Sequence, residues 1–506
     1  MFERERSLQE RLKDKEAAQI RLVTGKYAWE QAAALKKQIE DLLSQYQEAE
    51  AEIRAKSPRY AALTQPQPLG LKEIQQLLDP DTVLLEYSLG DGRSFLWAVT
   101  PTSSYSYELP KRADIDKAAR RFRTAVSEQF PVADSAGTQA GSASKSSTGS
   151  PSDAGQDAPR QLSHMLLGPV AAQLGAKRLI IVADGALQYV PFAALPAPDR
   201  LTEGGQESLP PLIAEHEIVT LPSASTLAVL RRQLAGRKPA PKTLAVLADP
   251  VFDPADERVK KDASQIKKQR EPSESSSDSS PPGGGTQEGR EASLAELALT
   301  RSVQETGFGA RGLGLERLKA TRDEANAIIS LAPAASRLEA LDFSANKATA
   351  SSPELSQYRI IHFATHGLLN SEHPELSGIV LSLVDEKGEA QDGFLRLNDI
   401  FNLNLPADLV VLSACQTGLG KDIKGEGLVG LTRGFMYAGA PRVVVSLWSV
   451  NDQATAELMK LFYQGMLKNG LRPVAALRAA QMEMWKEARW RAPYFWAAFV
   501  LQGEWK

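Results

Sequence analysis

Two apolar runs in this 506-residue chain each stop at a side chain able to do covalent or acid–base chemistry. "IIHFATHGLLN", residues 360–370, reaches His366, and "LVVLSACQTG", residues 409–418, reaches Cys415, the single cysteine of the chain. A free thiol with a pKa of about 8.5 is only slightly ionised at neutral pH, and an imidazole beside it can take its proton or stabilise the thiolate. Such a thiolate attacks a carbonyl carbon. His366 then protonates the leaving amine, and the backbone N–H groups of Gly367 and Cys415 are the candidates to hold the oxyanion. Gly367, directly after the histidine, and Gly418, three residues after the cysteine, let the backbone approach a substrate closely. Each residue alone has a plainer reading: a lone cysteine after a β-branched run is usually a small buried hydrophobe, and a lone histidine at a strand end is usually a hydrogen-bonded structural residue. The conjunction favours a pair, since both stand at strand ends before glycine-containing loops, 49 residues apart.

The elements that must position them are short, continuous, β-branched runs: "RLIIVADG" from 178, "TLAVLADP" from 243, "RIIHFATHG" from 359, "LVVLSAC" from 409 and "RVVVSLW" from 442. Strands apolar on both faces belong to sheets covered on both sides. Helical patterns separate them. Thr321 with Glu324 reads as a capping box for "TRDEANAIISL"; Leu428, Leu431 and Phe435 stripe one helix after Cys415, and Leu458, Leu461 and Phe462 another after Asp452. This alternation predicts a three-layer αβα fold on a mostly parallel sheet. Functional groups of such sheets gather at the carboxyl ends of the strands. His366 follows the strand 359–365 and Cys415 closes the strand 409–414, so parallel neighbours, about 4.8 Å apart, would bring both to one rim.

Other constellations are weaker. In "SLWSVNDQATAELM", residues 446–459, Asn451 or Asp452 is placed to cap the following helix. The Asp452 carboxylate on the same rim could also pair with a basic substrate side chain, and Trp448 could form an apolar wall. His362 and His366 have the i, i+4 spacing of helical zinc ligands, but Ile360, Ile361 and Phe363 make the segment a strand, and His362 reads as a core residue or as support for the site. "GLGKDIKGEG", residues 418–427, has the glycines of a phosphate loop without its lysine, since Glu426 follows Gly425; it reads as a mobile wall beside Cys415. No G-x-S-x-G elbow occurs.

Composition narrows the class. A formal charge of −3 from 59 basic and 62 acidic residues offers no basic stripe for a phosphate backbone, so nucleic acid is not the expected partner. One cysteine excludes an internal disulfide and a cysteine-rich zinc site. The first residues, "MFERERSLQERLKDKEAAQ", are charged and lack the apolar region of a secretory signal, and no run approaches the roughly 18 apolar residues of a membrane span. The expectation is a cytoplasmic protein without cofactor, metal or membrane partner.

Along the chain, Leu35, Ile39, Leu42, Tyr46, Ala49 and Ile53 lay one stripe along a helix, so residues 1–57 read as a helical or coiled-coil segment packed on its own domain, or else the tail of a helical-repeat array. Residues 58–130 read as an α/β part with a hairpin of Val83–Ser88 and Ser94–Thr100. Two polar stretches, 131–160 and about 256–293, read as disordered insertions. Residues 161–345 and 346–506 read as two further parts.

"HFATHG" from His362, "VLSACQTGLG" from Val411, "GEGLVGLTRGFMYAGAPRVVVSLWSVND" from Gly425 and "YFWAAFVLQG" from Tyr494 resemble the CHAT domain, a caspase-like module often joined to tetratricopeptide repeats. "VADGALQYVPFAAL" from Val182, "LPSAST" from Leu221 and "TRDEANAI" from Thr321 fit the amino-terminal half of that family. The 49-residue separation of His366 and Cys415 is also close to the roughly 50 of caspases. The resemblance covers residues 58–506 apart from the two insertions. It implies a caspase-hemoglobinase fold related to separase, with 161–345 as its amino-terminal half and 346–506 as its catalytic half, and an endopeptidase using His366 and Cys415. By the same resemblance Asp452, within "LWSVND", reads a basic P1 residue of a protein substrate. A regulatory or repeat-domain protein is the expected further partner. The alternative is a catalytically silent CHAT-domain scaffold.

Overall fold

In the computed structural model of the chain, residues 68–127, 153–198, 209–260, 315–369, 377–413, 415–417, 426–448 and 451–506 are described, with scattered helical positions among the first 67 (8, 11, 37, 38, 41, 42, 44, 45 and 48). The β-branched runs become strands. They are β1 (Thr82–Ser88), β2 (Ser94–Val99), β3 (Ser104–Leu109), β4 (Arg178–Val182), β5 (Ile218–Leu221), β6 (Lys242–Ala248), β7 (Arg337–Leu341) and β8 (Tyr358–Ala364). Three-residue strands follow: β9 (His366–Leu368), β10 (Gly378–Val380) and β11 (Phe394–Arg396). After them come β12 (Leu409–Leu412), β13 (Cys415–Thr417), β14 (Arg442–Ser446) and β15 (Phe499–Gly503).

Eleven strands form one sheet in the order β3-β2-β1-β4-β5-β15-β14-β12-β8-β6-β7. Pairing is parallel except at β3-β2, β2-β1 and β15-β14. β15 therefore joins two parallel blocks that run in opposite directions. Leu179–Val182, Leu244–Ala248, Leu409–Leu412 and Val443–Val445 are buried throughout, which requires cover on both faces. Helices supply it: α1 (Arg112–Ser127), α2 (Asp153–Leu166), α3 (Ala224–Leu234), α4 (Ala320–Ile329), α5 (Glu426–Ala438), α6 (Asp452–Leu467) and α7 (Pro473–Lys486). The predicted stripes face inward, with Leu431 and Phe435 of α5 and Leu458 and Phe462 of α6 buried. α6 packs against both α4 and α7. No helix among the described residues is long and apolar enough to cross a membrane.

Four short strands form a second sheet, β11-β10-β9-β13. Strands of three residues cannot bury enough to stand alone. This sheet rests on a small apolar cluster of Leu315, Leu368, Val380 and Phe394, with Phe252 and Leu383 against it. β10 lies so close to β11 that a Cβ on Gly378 would come 2.5 Å from the Leu395 carbonyl oxygen.

The structure departs from the sequence reading in several places. The hairpin forms as β1 and β2, but a third strand, β3, extends it. Helix α2 begins at Asp153, inside the stretch 131–160 read as an insertion, because Ala158, Leu162 and Leu166 give it a buried face despite Pro159. The second insertion was set to begin at about Asp256, yet residues 256–260 are tied into the fold. Asp256 holds Arg258, and the Lys260 N–H donates to the Glu386 carbonyl at 2.9 Å. Residues 131–152 and 261–293, like most of the 1–57 segment and the loop 418–425, lie outside the described residues. Strands from 58–130, 161–345 and 346–506 all enter the large sheet.

Candidate active site

β8 and β12 are parallel neighbours, with Ile360–Phe363 opposite Leu409–Leu412, and both chains leave the large sheet at the same rim. Thr365 turns the first chain: its buried hydroxyl donates to the Val380 carbonyl at 2.5 Å, and His366 opens β9 directly after. The second chain is held by the Ser413 N–H, which donates to the Phe363 carbonyl at 2.9 Å, before Cys415 opens β13. In the β9–β13 ladder Cys415 is the direct parallel partner of His366. Opposed positions of a ladder share a face of the sheet and lie about 4.8 Å apart. The backbone thus sets the two residues side by side, but at the start of short strands rather than at the tips of the long ones. The cause is that β8 ends at Ala364 and β12 at Leu412, short of each residue.

The His366 ring is 3% exposed. Its Nε2 contacts the Glu316 carbonyl oxygen at 2.7 Å, and a carbonyl only accepts, so Nε2 carries the proton and Nδ1 is the acceptor of the neutral ring. Burial pulls the imidazole pKa below its usual 6.5, against the opposing pull of the Glu316 carbonyl. The Phe252 ring lies 5.1 Å away, centroid to centroid. A ring held neutral, with one nitrogen fixed as donor, is suited to accept a proton at the other. Gly367 occupies the middle of β9, opposite Ile379 on one side and Gln416 on the other.

His362 belongs to the core. It is fully buried in β8, with Nδ1 3.0 Å from the Tyr463 hydroxyl and Nε2 3.1 Å from Glu324 Oε1. This overturns the predicted capping box. Helix α4 starts at Ala320 without a side-chain cap, the Thr321 hydroxyl donates to the Leu318 carbonyl at 2.6 Å, and the Glu324 carboxylate is buried against His362 instead. Tyr463 serves one nitrogen of the ring, and the buried carboxylate lies beside the other instead of capping its helix.

At the start of α6 the cap is Asn451, whose side-chain oxygen accepts from the Gln453 and Ala454 N–H groups at 3.1 and 3.2 Å. Asp452 is left exposed beside it. Surrounding protein and the Glu324 charge raise the Asp452 carboxyl pKa above its usual 3.8. Trp448 is 4% exposed, and its indole N–H donates to the Tyr494 carbonyl at 3.2 Å. It is part of the core behind the rim.

Two neighbouring features escaped sequence reasoning. The Glu316 carbonyl has no residue-type signal, since any backbone could supply it. Asp249 stands next to last in the quoted run "TLAVLADP", and only its charged partners distinguish it from an ordinary strand end. Among the described residues no group of three or more His, Cys, Asp or Glu is arranged to hold a metal ion.

Comparison with known proteins adds a family. Human Tetratricopeptide repeat protein 28 is 38% identical over 113 residues, which is 22% of this chain and 4% of that protein. The Mus musculus protein of the same name is 39% identical over 109 residues, again 22% and 4%. This chain thus matches only a small part of the length of these relatives. Two crystal structures of the Saccharomyces cerevisiae separase–securin complex superpose with TM-scores of 0.47 and 0.41 at 10% identity, covering 91% of this chain and 32% of theirs. The CHAT domain model matches residues 156–504, more than half of the chain, and the protein belongs to the CHAT domain family.

Proposed function

We propose that this chain is a caspase-like and separase-like cysteine endopeptidase with His366 and Cys415 as its dyad. The observation that carries the reading is the ladder register that pairs the two residues directly. In this mechanism the Cys415 thiol proton passes to His366 Nδ1, and the thiolate attacks the scissile carbonyl carbon. The tetrahedral oxyanion is held by backbone N–H groups, those of Gly367 and Cys415 being nearest in sequence. His366 returns its proton to the amine as the C–N bond breaks, leaving an acyl thioester. Water then attacks the thioester, His366 takes its proton, and the acid product leaves with the thiol restored. Asp452, exposed because Asn451 does the capping, is the carboxylate to pair with a basic P1 side chain, and the substrate is a protein. Trp448 stiffens the rim from behind. A lone thiol used as nucleophile fits a reducing, cytoplasmic setting.

A second reading is suggested by the relatives, whose printed name speaks of tetratricopeptide repeats. A caspase-like domain can serve as a silent scaffold, because a fold alone does not establish catalysis. A peptide electrophile with P1 Arg separates the two. The wild-type protein should be labelled at Cys415, read by intact mass, while Cys415→Ala and His366→Ala should not be labelled, and Asp452→Ala should react but lose its preference for Arg. A folded wild type that resists labelling favours the scaffold.

A further inference from the structure

The residue that follows the Glu316 carbonyl, Arg317, sits in a buried charge cluster. Asp249, one residue past β6, is 1% exposed, and three guanidinium groups converge on it. Arg317 meets it with two prongs, Nε at 2.8 Å and Nη2 at 2.7 Å. Arg322 Nε lies at 2.9 Å and Arg258 Nη1 at 3.1 Å. Asp342 takes Arg258 at 2.8 Å and Arg322 as well. Asp256, on the other side of Arg258, has its carboxyl pulled down to about 2, chiefly by its hydrogen bond with that guanidinium.

Asp249 and Asp342 are, among the described residues, the two non-glycine residues with positive φ, at 48° and 53°. Such backbone persists only where its surroundings over-determine it, and it gathers at functional sites. The residue before Arg317 is Glu316, whose carbonyl accepts from His366 Nε2. The residue before that, Leu315, is buried in the cluster with Leu368, two residues past His366. The segment 315–317 is therefore pinned at both ends, and its middle carbonyl faces the imidazole.

We infer that the Asp249–Arg317 pair is a positioning device for His366, holding the Glu316 carbonyl so that the ring keeps its proton on Nε2 and offers Nδ1 to Cys415. The inference rests on the reading of His366 as the base, and the pair acts through the carbonyl without touching substrate. A carbonyl lacks the charge of an aspartate partner, so its orienting power depends on being fixed, which a two-pronged arginine does and a lysine does not.

The test uses the full chain with Arg317→Ala, Arg317→Lys, Asp249→Asn and, as control, Glu257→Gln, which removes the exposed partner of Arg317 at 2.9 Å. The first readout is the ring nitrogen chemical shifts of His366, assigned among the five histidines by comparison with His366→Gln. Wild type and Glu257→Gln should show the Nε2–H tautomer, and Arg317→Ala and Asp249→Asn a mixture. The second is labelling by the P1 Arg electrophile. Its maximal rate should fall on the order of 10- to 100-fold in Arg317→Ala with half-saturation unchanged, as for other groups that orient a functional histidine. Arg317→Lys should fall between. Should Arg317→Ala not fold, Arg317→Lys carries both readouts. Ring shifts that stay at their wild-type values in folded Arg317 and Asp249 variants overturn the inference. A wild type that does not label overturns the peptidase reading, and the tautomer measurement still decides the positioning role.

Discussion

The two sheets of this molecule divide its labour. The large sheet is built from strands of four to seven residues, its central members buried at almost every position. One of its buried polar residues, His362, lies against Tyr463 and Glu324. The small sheet has strands of three residues and glycines at 367 and 378, and carries His366 opposite Cys415. Two histidines four residues apart thus stand in opposite circumstances: His362 is built in, whereas His366 stands where the chain has changed sheets. What separates them is the break at Thr365, and a rim platform attached to a rigid sheet is where precise placement and open backbone coexist.

The sharpest way to test that division is to damage the large sheet alone. Phe363 of β8 is fully buried against Phe435, with ring centroids 5.8 Å apart. Phe363→Ala should cost about 3–5 kcal/mol of stability. Denaturant unfolding should record that loss, while the protein still folded at low temperature keeps its Cys415 labelling rate. A labelling rate that collapses along with stability would show the two sheets to be one functional unit.

A smaller effect distinguishes neighbours at the start of α6. Asn451→Ala removes the side chain that caps the helix and should cost about 1 kcal/mol. Asp452→Ala should leave stability nearly unchanged and instead alter which P1 residues react. Thermal melts beside labelling with P1 Arg and P1 Ala electrophiles make the comparison, and swapped outcomes would reassign Asp452 to the cap.

How far the sequence reaches follows the same division. Strands of the large sheet are legible because continuous β-branched runs have few other uses, which is how β4, β6, β8, β12 and β14 came to be expected. β3, "SYSYEL", is polar because it is an edge with one side to solvent, and polarity hid it. β9 and β13 are too short for any period to appear, so the site residues could be named while the ladder that opposes them could not. Glu324 shows the converse error: its spacing from Thr321 satisfies a capping rule, and a buried imidazole on another element outbids that rule. Local pattern fails where the deciding partner is distant in the chain, and the same is true of Arg317 with Asp249.

The smallest effects are those of pH. His366 binds its proton less readily when folded than the usual 6.5, because burial penalises the charged ring. Between that depressed value and 6.5 the unfolded chain takes up a proton that the native chain refuses, so this group makes stability fall as pH drops through the window. The ring remains a base in the same interval, so labelling of Cys415 should persist below pH 6.5 and fail only under more acid conditions. Asp452 moves the other way, its carboxyl raised above 3.8 by surrounding protein and by Glu324. The preference for P1 Arg should therefore begin to fade at a higher pH than an ordinary aspartate would permit, bringing the two acid limbs toward each other. Labelling rates for P1 Arg and P1 Ala electrophiles from pH 4 to 8 resolve both: the P1 Ala profile follows His366, and the ratio of the two follows Asp452. An acid limb at or above 6.5 in the P1 Ala profile would mean that His366 is not the buried, neutral base that its place opposite Cys415 requires.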